Sequence, residues 1–221
     1  MDIRWNRLLL LLWAGLLFYS LLFAPGSPDD TLQLIKDIML DPGSVNPIVI
    51  AIFNLMGVLP LAYSAVLLFE GRKTGLRSWP FVLGSFFAGA FSLLLYMGFR
   101  SPQTAFRGTK GTLLKIMDSR VYGIVLKLVA ISLVAYALGA GDWKEYSELF
   151  WNNTLVHVMT LDFLVLSAVF PYAMWDDMKR RDWFEFRRFL SFALVPLMGP
   201  LTYLWFRPKQ HEKVQEKVDQ Q

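Results

Sequence analysis

The fifth apolar segment, NNTLVHVMTLDFLVLSAVFPYAMW, holds the two side chains best suited to chemistry, His157 and Asp162. A single imidazole can hydrogen-bond within a bundle, relay a proton, or ligate the metal of a tetrapyrrole such as haem or chlorophyll. Asn153, His157, Thr160 and Ser167 follow helical spacing and share one stripe, with Leu164 among them. At about 100° per residue, Asp162 lies about 140° away from His157. A helix polar on opposite sides gives neither side to lipid cheaply, so the segment is expected at the centre of a bundle. A lone carboxylate at mid-membrane costs at least ~2.5 kcal/mol, so Asp162 is expected to be protonated, paired or beside water. Lys127, in the preceding segment, would lie about 7 Å along the axis from Asp162 in an antiparallel neighbour. Lys127–Asp162 is therefore a candidate pair, and snorkelling of Lys127 to its own interface is the competing reading. Asn54, in the second segment, completes the intramembrane polar set.

The fifth segment runs directly into Asp176, Asp177, Lys179, Arg180 and Arg181. Asp177 and Arg181 are four apart and can pair on a helix surface. The cluster reads as an interfacial cap that holds anionic headgroups. A carboxylate-rich magnesium site of the prenyl-transferase kind does not match the spacing, and the interleaved bases would repel the metal. No residue is assigned a catalytic or metal-binding role. The chain has no Cys, which excludes disulfides, thiolate catalysis and Cys-ligated metal, and its two His leave no multi-histidine site.

The elements that must position these residues are long and apolar. Of 221 residues 55% are hydrophobic and 18% charged, against about 25% charged in an ordinary soluble domain. The Lys and Arg that make the net charge +4 lie between apolar runs, where they meet lipid headgroups and set orientation, not nucleic acid. The pattern predicts an all-α, polytopic transmembrane helix bundle forming a single domain over 1–221. About six spans are expected, at 8–24, 47–69, 80–99, 121–138, 154–175 and 190–206, the last short and broken by Pro196, Gly199 and Pro200. A short interfacial helix is expected near 28–40, capped by Ser27 with Pro28 at its first position. Residues 1–24 read as a cleaved signal or a retained anchor, and Leu22-Phe23-Ala24-Pro25 favours retention because it is a poor cleavage site. The segment 207–221 reads as a flexible polar tail. Gly84, Ser85, Ala88, Gly89 and Ser92 form small pairs four apart in the third span, which suit close approach of another helix.

Six crossings leave the orientation undecided. The Lys and Arg divide ten against eleven between the two sides. The local contrast between the acidic connection 139–150 and its basic flanks favours placing 100–120 and 176–188 on the cytoplasmic or stromal face. Both termini would then lie on the opposite face, with Arg72, Lys73 and Arg77 on the wrong side.

Four stretches, FNLMGVLPLAYSAVLLFEG (53–71), SWPFVLGSFFAGAFSLLLY (78–96), HVMTLDFLVLSAVFPYAMWDDMKRRDW (157–183) and LMGPLTYLWFRP (197–208), together resemble a family of uncharacterised polytopic integral membrane proteins of cyanobacteria and chloroplasts. The resemblance implies a setting, a thylakoid or plasma membrane of a photosynthetic cell, and no catalytic signature. The expected function is that of a non-catalytic accessory or assembly subunit of a membrane complex, with the bilayer and other membrane subunits as partners. The first alternative is a small proton-coupled carrier using Lys127, His157 and Asp162. The second is a lipid- or isoprenoid-modifying membrane enzyme.

Overall fold

The structure, a computed structural model, describes residues 3–70, 76–101, 106 and 109–211. Arg72, Lys73 and Arg107, counted above among the connection charges, lie outside the described residues, as does the tail from 212. Among the described residues there are ten α-helices and no strand: α1 (Ile3–Leu22), α2 (Pro28–Leu40), α3 (Pro47–Leu67), α4 (Ser78–Phe99), α5 (Thr112–Met117), α6 (Arg120–Ala140), α7 (Trp143–Asn152), α8 (Thr154–Arg180), α9 (Phe186–Ala193) and α10 (Met198–Phe206). The all-α bundle and the short helix after Ser27 are as expected. Side-chain caps fix the starts: Ser27 for α2, Asn46 for α3, Ser119 for α6, Asp142 for α7 and Asn153 for α8 each accept from a backbone N–H of the first turn.

Five helices are long and apolar enough to cross a membrane: α1, α3, α4, α6 and α8. The sixth expected span is instead two short helices of 8 and 9 residues. At 1.5 Å per residue each reaches about 13 Å, less than half of a ~30 Å hydrocarbon core. They fold back on each other at Leu197, whose φ is 61°. The Phe192 and Tyr203 rings stand 5.9 Å apart, and a Cβ at Gly199 would run into the Phe192 carbonyl.

Helix α4 is folded back as well. Gly89 sits at φ 46°, ψ −124°, far from helical values. In a continuous helix residues 81 and 92 would be about 16 Å apart. Here the Ser92 hydroxyl donates to the Phe81 carbonyl at 2.7 Å, and the Phe81 and Tyr96 rings are 5.5 Å apart. The arms 78–88 and 90–99 thus form a re-entrant hairpin. The small residues do serve close packing, but between two arms of one segment: a Cβ at Gly84 would stand 2.7 Å from Ser92 Oγ.

The contacts sort into two ends. At one end Thr154 donates to the Pro25 carbonyl, and Asn46 donates to the Asp142 carbonyl at 2.7 Å. At the other, Asn6 donates to the Arg100 carbonyl at 3.0 Å, Arg100 pairs with Asp176 at 2.7 Å and Arg207 with Asp177 at 2.8 Å. Four helices, α1, α3, α6 and α8, run from end to end. The α4 hairpin and the α9–α10 hairpin enter from the charged end and return to it.

The centre of the bundle is α3, not α8. It packs against α4, α6, α8 and α10, and 67% of its span is buried, compared with 44% for α8. Tyr63 of α3 is fully buried, donates to the Leu166 carbonyl at 2.8 Å and packs on the Phe170 ring at 4.6 Å. Leu164 is 54% exposed, so the polar stripe of α8 reaches the outer surface of the bundle part-way along.

Candidate functional site

The polar groups of α8 join it to its neighbours or cap it. Asn153 caps the helix. His157 is 2% exposed, with Nδ1 2.8 Å from the Phe150 carbonyl and Nε2 2.9 Å from the Tyr19 hydroxyl. A carbonyl only accepts, so Nδ1 carries a proton, and Nε2 is engaged by the Tyr19 hydroxyl, which can either donate or accept. The ring also packs on Tyr19 and Phe150, at 5.7 and 4.4 Å. Both nitrogens are thus engaged and three aromatic rings, Tyr19, Phe150 and Trp151, lie beside the imidazole, an arrangement that offers no free nitrogen to a haem or chlorophyll metal. Thr160 donates to the Val156 carbonyl and lies 2.9 Å from the Tyr146 hydroxyl, fastening α7 to α8. Asn54 is exposed and donates to the Ile50 carbonyl of its own helix at 2.8 Å, away from the other polar groups.

Asp162 and Lys127 are not brought together. Helix α3 packs against both α6 and α8 and lies between them. Lys127 Nζ sits 5.2 Å from the centroid of the Trp205 ring on α10, a cation–π contact. Asp162, 3% exposed, accepts from the backbone N–H of Ala90 at 2.7 Å. Ala90 begins the second arm of the α4 hairpin, whose first N–H groups have no helical acceptor. Deep in the bundle no water stands ready to satisfy them, and the positive end of the arm favours a carboxylate. Asp162 therefore caps a broken helix at its tip. Gly89 is required there twice, for its positive φ and because a Cβ would overlap Asp162 Oδ2.

The charged end is a buried network. Asp176, Asp177, Arg180 and Arg181 are each 6% exposed or less. They do not face headgroups; of this cluster Lys179 alone is exposed. The Asp177–Arg181 pair forms at 2.9 Å, inside the protein and not on its surface. Asp177 also receives Arg207 at 2.8 Å and the Tyr203 hydroxyl at 2.7 Å. Arg181 pairs with Asp118 at 2.6 Å, and Arg100 pairs with both Asp176 and Glu70. Tyr96 donates to Glu70 at 2.6 Å.

The arginines also complete helix ends. Arg207 donates to the carbonyls of Ala65 and Met117, and Arg180 to that of Val66, which are among the last of α3 and α5 and lack intrahelical donors. Cations at these ends also complement the helix dipoles. Burial, then the neighbouring Arg181, pulls the Arg207 guanidinium below its usual range, against the attraction of Asp177. Burial works against the Arg181 charge too, yet the Asp177 and Asp118 carboxylates raise it above the usual range. Residues 207–210, expected within a flexible polar tail, are instead bound to the network: Arg207 and Gln210 are 3% and 5% exposed, and Gln210 bonds Asp118 and the Arg180 carbonyl.

Glu70, Arg100, Asp118 and Arg207 were not legible as partners of the 176–181 cluster. Six crossings would put Glu70 and Arg207 on one side of the membrane and Arg100 and Asp176 on the other. The available signal was their repeated position: Glu70, Arg100 and Arg207 each directly follow the Phe that closes an apolar segment. The hairpins also resolve the charge tally. Every described Lys and Arg outside the spans lies at the charged end, except Lys36 and Lys144. Both described chain ends lie there too, which reverses the expectation that the termini face away from the cluster. No protein-family model, curated protein or solved structure matches the chain.

Proposed function

We propose that the protein is a non-catalytic integral membrane subunit that assembles or stabilises a larger membrane complex, in the photosynthetic membrane that the sequence resemblance suggests. One observation carries the reading. The groups best suited to chemistry are each engaged in joining helices: His157 with α1 and the end of α7, Thr160 with α7, Asp162 with α4 and Lys127 with α10. The charged end is likewise spent on mutual pairing. The outward faces of α1 and α6 remain for partners: 11% and 17% of their spans are buried. By the positive-inside rule the charged end faces the cytoplasm or stroma. The test is extraction in a mild detergent followed by native electrophoresis. Migration of the chain with a defined larger complex, and loss of that complex on deletion of the gene, support the reading. Migration alone, with wild-type levels of all other membrane complexes in the deletion strain, overturns it.

One observation favours the carrier alternative. Asp162 Oδ2 is buried without a hydrogen-bond partner among the described residues, at the tip of a broken helix, the kind of place where transporters bind ions. Proton-coupled flux in liposomes that Asp162→Asn abolishes would establish that reading instead.

A further inference from the structure

We propose that the groove between α1, α8 and α9 binds an anionic phospholipid, one acyl chain in the groove and its phosphate on Lys179. The groove encloses about 540 Å³, within the roughly 300–1,000 Å³ of ligand sites. Trp5 and Leu9 of α1, Pro171 and Trp175 of α8 and Phe189 of α9 form its apolar walls, and the small Ala168 makes room between them. It lies in the half of the bundle next to the charged end and opens to the lipid side, where Trp5 is 52% exposed. Its one charged lining residue is Lys179.

Charge selects the occupant. Lys179 is the member of the 176–181 cluster left out of the buried network: no carboxylate pairs with it among the described residues. Its Nζ lies 4.9 Å from the Trp175 ring centroid and 5.4 Å from that of Phe184, which holds the ammonium at the mouth of the groove. The Trp175 indole N–H, in the same wall, has no acceptor among the described residues. Helix α9, which supplies Phe189, brings Arg187 and Arg188 into its first turn. An apolar slot ending in a cation at headgroup depth matches a chain with a phosphate at its end, and matches neither a neutral lipid nor an acidic soluble ligand as well.

The test uses the full-length protein, delipidated in a mild detergent, titrated with phosphatidylglycerol or with phosphatidylcholine of the same acyl chains while thermal unfolding is read. Phosphatidylglycerol is expected to raise Tm at lower concentration than phosphatidylcholine. Lys179→Gln, at an exposed position, is expected to keep the basal Tm and weaken the apparent affinity for phosphatidylglycerol about five-fold, down to that of phosphatidylcholine. Ala168→Phe, which fills the slot, is expected to remove the response to both lipids. Equal response of the wild type to both lipids overturns the proposal, as does a lipid preference that survives in Lys179→Gln. A shift reproduced by glycerol phosphate alone also overturns it, by showing a free-phosphate site that needs no acyl chain.

Discussion

Asp162 offers the sharpest test, because two roles for the same carboxylate predict opposite outcomes. Its Oδ1 accepts from Ala90 N at 2.7 Å at the tip of the α4 hairpin. Asp162→Asn keeps an acceptor of the same shape; Asp162→Ala removes it and leaves the N–H unsatisfied in the bundle interior. An orphaned buried donor costs about 1–3 kcal/mol. At ~2 kcal/mol, a chain of this size loses about 4–8 °C in Tm. Asp162→Asn should stay within ~1 kcal/mol of wild type, since the acceptor is retained. Gly89→Ala should be at least as damaging as Asp162→Ala, since it combines a positive φ with an overlap on Oδ2. Thermal unfolding in detergent, with hydrogen exchange at Ala90, reads all three. If Asp162→Asn is as destabilised as Asp162→Ala, the capping argument is wrong and the ionisable proton matters instead.

The remaining predictions follow from the same contacts. The chain has no Cys, so single Cys probes are clean: Arg77→Cys and Lys115→Cys should react with an impermeant reagent from the same side, and Gln33→Cys and Lys144→Cys from the other. Six crossings would put Arg77 and Lys115 on opposite sides. Asp177→Asn leaves Arg181 and Arg207 without their shared carboxylate and should cost about 3–5 kcal/mol, seen as loss of folded protein in detergent unfolding or accumulation assays. Tyr19→Phe removes the hydroxyl beside His157 Nε2 and should cost about 1 kcal/mol, and in a double-mutant cycle its cost should largely vanish in the His157→Ala background, where its partner is gone.

Helices were legible because length and apolar content fix them, and their starts were legible at Ser27-Pro28, where the cap chemistry is local. The two re-entrant hairpins were hidden for a physical reason. An apolar run of about 20 residues has the same hydropathy whether it crosses the membrane or turns back at its middle. What separates the two cases is the backbone at Gly89 and Leu197 and the contacts between the returning arms, such as Ser92 with Phe81 and Phe192 with Tyr203. A third segment that crosses the membrane puts Glu70 and Arg100 on opposite faces and leaves the network's members as unrelated interfacial charges. Helical spacing does place His157 and Asp162 on different sides of α8, but Tyr19 and Ala90, which meet them, stand 138 and 72 residues away in the chain, where no local pattern points to them.

The charged end also dictates an order of events during biosynthesis. Asp118 is inserted 63 residues ahead of its partner Arg181, and the Met117 carbonyl precedes its donor Arg207 by 90. At about 5–20 residues per second, Asp118 waits on the order of 3–13 s before Arg181 is even made. The ends of α3, α5 and α8 therefore close as one unit only after Arg207 leaves the ribosome. Until then the Met117 and Ala65 carbonyls lack the donor that Arg207 supplies, and Asp177 lacks one of its two closest cations.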